Sequence, residues 1–553
     1  MVKLNGWKLA WAGFLFWAMM GVSNAQNFTT LLDFDYYVSG AQPQMALVQG
    51  ADGELYGTTP FGGDPNGYAN GTVFKVTLAG KLTTLYNFCY QYDCTTGVYP
   101  FGGLVLGTDG RFYGNTARGG TEGAGTVFRI TRQGSLSKLY DFGYGDFGPS
   151  AGLIQATDGD FYGTTGWAYG GSGNGIVFKI TPQGTFTTLH VFCSEPPFCP
   201  DGSRSLGALV EGNDRSFYGT TYDGACCGTI FKVSRAGHLT TLHTFNGVDG
   251  AYPSAGLLRD FDGSFYGTTS GGGAKGWGTV FKMNSRGTLT KLYEFCTLPN
   301  CADGSLPSAP LLRATDGNFY GTTTYGGDIA CEFGCGTIFK ITSQGDLTTL
   351  YRFGPGDGFW PRGGLLQATN GIFYGTTTRG ASFDDGSIFS LDMGFAPFVT
   401  FVHDSGKVGG AGGILGQGFT GTTDVSINGT PAKFTVVSDT FLKATVPDGT
   451  TTGFVTVTTP GGTLASNKVF RVLPQLLSFD PPSGPVGTQV TITGVSFSQT
   501  KAVGFGDRVP AQFTVNSDTQ VTATVPSGAK TGPIGIKTKG GIAISSGTFT
   551  VTP

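Results

Sequence analysis

Residues 104–142 read LVLGTDGRFYGNTARGGTEGAGTVFRITRQGSLSKLYDF. This stretch contains four short apolar runs separated by glycine-containing turns: Leu104 to Thr108, Arg111 to Thr116, Thr126 to Thr131 and Leu136 to Phe142. Asp109-Gly110, between the first two runs, is a hairpin signal because glycine readily takes the positive φ of a tight turn. The stretch therefore predicts four consecutive antiparallel strands.

The same unit recurs along the chain at intervals of 48 to 57 residues. Its tyrosine stands at Tyr56, Tyr113, Tyr162, Tyr218, Tyr266, Tyr320 and Tyr374. Four strands about every fifty residues, repeated seven times, are more typical of a propeller than of a solenoid. With 95 glycines and only 13% charged residues, the composition also favours short strands over helices.

The fourth strand is missing from the seventh unit, which ends after Ser387 to Leu391. Residues 28–34, FTTLLDF, match the fourth-strand pattern but have no strands before them. Pairing this segment into the last blade removes both open sheet edges. We therefore predict an all-β fold: a seven-bladed β-propeller over residues 26–393, with four strands per blade, closed by the N-terminal strand.

The recurring motifs, such as GTVFRIT at 125–131 and FYGTT at 217–221, resemble the GloVer family of extracellular tandem repeats. This family is found in bacterial surface or secreted proteins, and the resemblance covers about residues 26–393. It implies an exported repeat protein and carries over no catalytic residue.

After residue 393 a second pattern begins, and it occurs twice. It is seen as Pro431-Ala432-Lys433-Phe434, Ser438-Asp439-Thr440 and Val446-Pro447, and again as Ala511-Gln512-Phe513, Ser517-Asp518-Thr519 and Val525-Pro526. Both copies resemble IPT/TIG domains, which implies two immunoglobulin-like β-sandwiches, over residues 394–473 and 474–553. The first copy lacks the Pro-x-x-Gly opening, and a spacer role is favoured for both over ligand binding.

The N-terminus predicts export. Residues 1–25 combine Lys3 and Lys8, an apolar run from Leu9 to Val22 and the small-residue site Ser23-Asn24-Ala25, which together indicate a cleaved signal peptide. An uncleaved anchor is the alternative, although the run is short for a membrane span. We expect a secreted, extracellular or cell-surface protein without a later transmembrane segment. The net charge of -3 disfavours nucleic acid as a partner.

All ten cysteines fall into close pairs, which suggests local disulfides in an oxidising compartment. The pairs are Cys89/Cys94, Cys193/Cys199, Cys226/Cys227, Cys296/Cys301 and Cys331/Cys335. Zinc is the competing interpretation, but the four histidines show no matched spacing. For the adjacent pair, a strained vicinal disulfide is predicted against two free thiols or an intermolecular link.

The long loops between second and third strands, and the links between blades, are predicted to form one working face. Its candidate ligand-binding residues are aromatic: Tyr99, Trp167, Tyr169, Tyr252, Trp277, Phe359 and Trp360. Such rings stack on sugars or anchor proteins, although they also cap blade ends. The Asp-Gly turns at Asp201, Asp249, Asp303 and Asp357 are weak Ca²⁺ candidates, with ordinary turns favoured; no other cofactor is indicated.

The sequence favours a non-enzymatic binding or adhesion protein that recognises carbohydrate or a surface protein. A secreted polysaccharide hydrolase or lyase, with its site at the channel mouth, is the first alternative. Its candidate carboxylates, Glu122, Asp223, Asp328, Glu332 and Asp385, share no register between repeats. A structural display element is the second alternative, and the oligomeric state is left open.

Overall fold

A computed structural model describes residues 26–65, 67, 70–89, 94–143, 148–149, 151–166, 175–194, 199–224, 226–506 and 508–553. The predicted signal segment, residues 1–25, lies outside the described residues. Within these ranges the protein is all-β, apart from two 3-10 turns at Pro299–Cys301 and Pro355–Asp357. No helix in the same ranges has the length and apolar character needed to cross a bilayer.

The repeats form seven four-stranded antiparallel sheets among the described residues. Six of them follow chain order: β2 to β5 (Val48–Gln49, Leu55–Thr59, Thr72–Val76, Leu82–Asn87), β6 to β9 (Val105–Leu106, Phe112–Thr116, Thr126–Ile130, Leu136–Asp141), β10 to β13 (Ile154–Gln155, Phe161–Thr164, Ile176–Ile180, Phe186–Val191), β14 to β17 (Val210–Glu211, Phe217–Thr221, Thr229–Val233, Leu239–Thr244), β18 to β21 (Leu258–Arg259, Phe265–Thr269, Thr279–Met283, Leu289–Glu294) and β22 to β25 (Leu312–Arg313, Phe319–Thr323, Thr337–Ile341, Leu347–Arg352).

The seventh sheet takes its fourth strand from the other end of the repeats. It contains β26 (Leu366–Gln367), β27 (Phe373–Thr377), β28 (Ser387–Asp392) and β1 (Asn27–Asp33), and β1 pairs antiparallel with β28. Phe28 of β1 stacks on Tyr351 of the sixth sheet with ring centroids 3.8 Å apart. The predicted pairing of the N-terminal strand with the last repeat is confirmed.

The FYGTT motif explains how each sheet is built and joined to the next. Its tyrosine is fully buried, and in most repeats its hydroxyl donates to the aspartate of the Asp-Gly turn, as from Tyr56 to Asp52 at 2.7 Å. Its ring also stacks on the phenylalanine of the next repeat, as for Tyr113 and Phe161 at 3.9 Å. The glycine is required because a Cβ at Gly321 would lie 2.6 Å from Phe339 Cζ.

The packing of successive sheets closes on itself. Each of the apolar cores between sheets combines residues from two neighbouring repeats, and one core joins the last repeat to the first. In that core Tyr374 and Ile388 pack with Leu55 and Phe74. Leu55 stands where the later repeats carry the stacking phenylalanine. The seven sheets therefore form a closed series.

The C-terminal region has two further β units, each with an apolar core between two main sheets. The first contains β29 to β38 (Thr400–Phe401, Ser405–Gly406, Ala411–Leu415, Asp424–Ile427, Thr430–Pro431, Phe434–Ser438, Phe441–Thr445, Val455–Thr459, Gly462–Ala465, Arg471–Val472). The second contains β39 to β47 (Gln475–Asp480, Ser483–Gly484, Gln489–Val495, Thr500–Phe505, Val509–Ala511, Phe513–Ser517, Gln520–Thr524, Gly532–Thr538, Ile542–Val551).

The first C-terminal unit contacts the end of the repeats that carries the hairpin turns between first and second strands, such as Asp109-Gly110. This end is here called the turn face. Gln417 Nε2 donates to Thr369 Oγ1 at 2.9 Å, and Thr440 Oγ1 donates to the Ala51 carbonyl at 2.9 Å. The Asp404 carboxylate lies 3.1 Å from Arg259 of the fifth repeat and 3.0 Å from Arg471 of its own unit. The turn face is thus covered in part by this unit.

Candidate functional site

The opposite end of the repeats, here called the loop face, consists of the links between sheets and the loops after each second strand. Antiparallel order places these two sets of loops at the same end of a sheet. They also pair directly, through isolated bridges such as Val98 with Arg118, Ser305 with Tyr325 and Phe359 with Arg379. The loops that contain the cysteines belong to this face.

At one equivalent position, six of the links hold a residue other than glycine in a left-handed backbone. These residues have φ values of 54° to 58° and are Gln42, Tyr99, Arg204, Tyr252, Leu306 and Trp360. Such a backbone costs about 1 to 3 kcal/mol and persists only where the surroundings enforce it.

The surroundings of Trp360 show how this conformation is enforced. Its N–H donates to the Cys335 carbonyl of the preceding repeat at 3.0 Å, and its own carbonyl accepts the Thr378 N–H at 3.2 Å. Tyr252 is held in the same way, between the Cys227 carbonyl at 2.8 Å and the Ser270 N–H at 3.2 Å. The backbones of Trp360 and Tyr252 are therefore fixed at equivalent positions of the loop face, and each residue presents its side chain there in a fixed direction.

An aromatic group surrounds Trp360. Its ring meets Tyr325 and Phe359 edge-on, with centroids 5.5 and 5.2 Å apart, and its Nε1 donates to the Gly334 carbonyl at 3.3 Å. Phe333, 5.8 Å from Tyr325, is 66% exposed. The Cys331–Cys335 disulfide encloses Phe333 and so restrains the loop that presents it.

A second group combines aromatic rings with charge. Tyr252, 39% exposed, lies over Tyr222 with ring centroids 5.2 Å apart. The Arg204 guanidinium lies 5.2 Å from the centre of the Tyr222 ring and pairs with Asp223 at 2.8 Å. Burial, reinforced by Asp223 and opposed by Arg204, raises the pKa of Tyr222. The second group thus offers ring surface, a hydroxyl and an ion pair side by side.

The other predicted aromatic residues are distributed as follows. Tyr99 lies 5.5 Å from Phe61 between ring centroids, and Phe61 in turn lies 5.9 Å from Phe101. Trp277 is 40% exposed in the loop before β20. Trp167 and Tyr169 lie outside the described residues. Sequence reasoning missed Gln42, Arg204 and Leu306, although the proline that follows the equivalent residue in most links was a readable signal.

The four candidate calcium aspartates do not converge. Each one contacts the last part of the preceding fourth strand and backbone N–H groups of its own link: Asp201 with His190 Nε2 (2.8 Å) and Cys193 N, Asp249 with His243 Nε2 (2.9 Å) and Asn246 N, Asp303 with Tyr293 OH (2.8 Å) and Thr297 N, and Asp357 with Tyr351 OH (2.8 Å) and Gly354 N. Their oxygens hold loops in place. The described residues contain no group of three metal-ligating side chains.

The enzyme candidates are also dispersed. Asp223 is paired with Arg204, and Asp385 accepts the Tyr36 N–H at 2.9 Å. Burial raises the pKa of Asp385, with Asp35 and Asp384 adding to the shift. Glu122 stands in a loop of the second repeat, and Asp328 and Glu332 share one loop of the sixth. The five carboxylates therefore come from four different repeats.

Four of the five predicted cysteine pairs are disulfides: Cys89–Cys94, Cys193–Cys199, Cys296–Cys301 and Cys331–Cys335. The predicted bridge between Cys226 and Cys227 is wrong, because both thiols are free. Adjacent α-carbons are about 3.8 Å apart, closer than an unstrained disulfide accepts. Instead, the Cys226 thiol donates to the Phe245 carbonyl at 3.5 Å and Cys227 packs on the core between repeats four and five.

We expect a titration of the unfolded, unreduced chain with a thiol reagent to find two thiols. In the folded chain Cys226 should react first, because burial, together with Cys226 and Asp249, raises the pKa of Cys227 to about 11. A Cys226→Ser variant provides the control and should lose the fast phase alone. A count of zero free thiols in the wild type would show instead that Cys226 and Cys227 form the vicinal disulfide.

The repeats match a known protein family. The sequence model of the Gloeobacter/Verrucomicrobia repeat family matches residues 20–227 and 206–435. The chain belongs to the Gloeobacter/Verrucomicrobia repeat family. Residues 474–552 match the IPT/TIG domain, so the predicted resemblances of the repeats and of the second C-terminal unit are confirmed. No curated protein matches the chain.

Solved structures that align with this repeat-family member do so weakly. A surface glycan-binding protein from Prevotella bryantii is 18% identical, with 28% of this chain and 39% of that chain covered and a TM-score of 0.22. A fungal alcohol oxidase of the AA5 family, in complex with copper, is 12% identical over 95% of this chain and 99% of its own, with a TM-score of 0.40. At such scores the likenesses carry no inference about function.

Proposed function

We propose that this member of the repeat family is an exported binding protein whose loop face recognises carbohydrate. The observation that carries the proposal is the set of aromatic side chains presented at equivalent, backbone-fixed positions of that face. Rings held in fixed directions lose little conformational entropy on binding, which is the main benefit of preorganisation. The mixture of exposed ring faces with Arg204, Asp223 and Tyr222 provides both stacking surfaces and hydrogen-bonding groups for a sugar.

The architecture that supports this function is a seven-bladed β-propeller over residues 26–393. The closed series of seven sheets and the strand shared between the two ends of the repeats support this arrangement. Immunoglobulin-like sandwiches over residues 394–473 and 474–553 act as a spacer. The contacts of the first of them with the turn face leave the loop face accessible.

Export rests on two independent features. The signal-like segment, residues 1–25, predicts secretion. The four disulfides are compatible with an extracellular location, because cytosolic thiols are kept reduced.

A binding screen of the full chain against glycans and cell-wall polymers tests the proposal. We expect saturable binding that Trp360→Ala and Tyr252→Ala each weaken by about tenfold, as for aromatic anchors at other binding sites. Leu477→Ala, at an exposed apolar side chain of the second C-terminal unit, should leave the affinity unchanged.

Other outcomes separate the alternatives. Release of soluble product from a polymer would establish the hydrolase or lyase. Saturable binding of a surface protein, without binding of any glycan, would show that the loop face recognises protein instead of carbohydrate. If the loop face binds neither glycan nor protein, the proposal is contradicted, and a structural display element is the alternative that remains.

A further inference from the structure

A cavity of about 460 Å³ lies where the turn face meets the C-terminal units, away from the loop face. Its walls come from the fourth to sixth repeats (Val210, Asn213, 257–261 and 312–313), from the first C-terminal unit (Asp404, Thr452, Phe454, 467–469 and Arg471) and from Lys539 of the second. Its size falls within the range of small-molecule sites in proteins. The cavity exists only because these parts of the chain are assembled together.

Cationic side chains outnumber carboxylates in its lining. Five of them, Arg259, Arg313, Lys468, Arg471 and Lys539, face two carboxylates, Asp260 and Asp404. Asp404 pairs with Arg259 and Arg471, and Asp260 pairs with Arg313 at 2.9 Å. Within the described part of the chain, no carboxylate pairs with the ammonium group of Lys468 or Lys539. The cavity therefore carries a net positive charge.

Two polar groups at this site lack a partner in the described chain. The Arg471 side chain is only 9% exposed, and its buried Nε makes no hydrogen bond. The buried Oδ1 of Asn467 is also unpartnered. A buried polar group without a partner is costly, so a ligand that offers an anionic acceptor to Arg471 and a hydroxyl donor to Asn467 would remove that cost.

The cavity also offers apolar surface. The rings of Phe261 and Phe454 meet at 82° with centroids 6.0 Å apart, and the Phe454 side chain is 48% exposed. The Arg313 guanidinium lies 4.1 Å from the centre of the Phe261 ring, and Phe261 is 42% exposed, so both rings offer apolar surface. An aromatic ring beside hydrogen-bonding groups suits the carbon face of a sugar ring.

We propose that this cavity binds a sugar acid of one or two rings, a hydroxylated carboxylate of the uronate type. Arg471, with Lys468 and Lys539 at the mouth, holds the carboxylate. Asn467 accepts a ring hydroxyl, and Phe454 packs against the ring. This site is separate from the loop-face site, and because both C-terminal units contribute to it, ligand binding also stabilises their assembly with the repeats.

Calorimetric titration of the full chain with galacturonate and digalacturonate tests the site, with galactose and inorganic sulfate as comparison ligands. We expect saturable uronate binding that weakens as salt is raised. Lys539→Gln should weaken it about threefold and Arg471→Gln at least about tenfold, because the buried guanidinium makes the stronger contact. Lys443→Gln, an exposed lysine of the first C-terminal unit outside the cavity, is the matched control.

If Arg471→Gln disturbs folding, as a melting curve would reveal, Lys539→Gln and Lys468→Gln carry the test, since both side chains are exposed. Absence of uronate binding by the wild type, binding of galactose with equal affinity, or binding that both lysine variants leave unchanged would overturn the proposal. Equal affinity for sulfate would show a simple oxyanion site and also overturn it. Because no loop-face residue lines the cavity, any of these results leaves glycan binding by the loop face unaffected.

Discussion

A chain that lacks residues 26–36 should melt about 10 °C or more below the full-length protein. The deletion removes β1, which pairs with six residues of β28, and exposes the edge of the seventh sheet. It also removes Phe28, whose ring packs on Tyr351, Phe353 and Phe389. Since about 1 kcal/mol shifts the melting temperature of a large domain by a few degrees, a lost strand has an effect of this size.

Point variants and a peptide separate ring closure from nonspecific damage. Phe28→Ala should lower the free energy of unfolding by about 2 kcal/mol, because its ring is partly buried. Thr29→Ala, at the next and exposed position, should change it by less than about 0.5 kcal/mol. Adding a peptide of residues 26–36 to the deleted chain should restore part of the lost stability. A deletion that melts like the wild type would refute closure by this strand.

The sequence could predict this closure because the strand carries the same alternating pattern as the six complete repeats. It could not predict the length of the first strands. Leu104 to Thr108 looks like a full strand, yet only Val105–Leu106 pairs. Gly107 already accepts the hairpin geometry, with its N–H bonded to the Arg111 carbonyl at 2.8 Å. Gly107 and Thr108 therefore belong to the tight turn, although the sequence pattern assigns them to the strand.

The candidate site was predictable only in part, because its backbone conformation depends on contacts between repeats. Tyr252 and Trp360 stand out as aromatic residues in loops, whereas Arg204 and Leu306 share with them a backbone conformation and no side-chain character. That conformation is imposed by hydrogen bonds between neighbouring repeats, which no single repeat reveals. The role of Asp357 could have been predicted, because a tyrosine or histidine recurs near the end of the preceding strand.

Asp404→Asn should weaken the contact of the first C-terminal unit with the repeats at neutral pH. The substitution keeps the shape of the side chain but leaves Arg259, 13% exposed, and Arg471, 9% exposed, without their carboxylate. Asp404 is itself 30% exposed, so removing its charge costs up to about 3 kcal/mol, the lower end for buried ion pairs, because the arginines stay desolvated. We expect calorimetry to show a separate early transition, and limited proteolysis to cut between β28 and β29. Asp424→Asn, an exposed carboxylate of the same unit, is the control and should behave like the wild type.

The pH dependence provides an independent test of the same contact. Desolvation opposes ionisation of Asp404, but Arg471 and Arg259 outweigh it and hold the pKa of this carboxyl well below its usual range. A carboxyl whose pKa is lower in the folded state stabilises the assembly above its unfolded value, about 3.9, and loses that contribution as the pH falls towards the folded value. The difference in transition temperature between the wild type and Asp404→Asn should therefore stay constant from about pH 7 to pH 5 and shrink below about pH 4. A difference that instead grows on acidification, or a variant that melts and is cleaved like the wild type at neutral pH, would show that other contacts hold the C-terminal unit to the turn face.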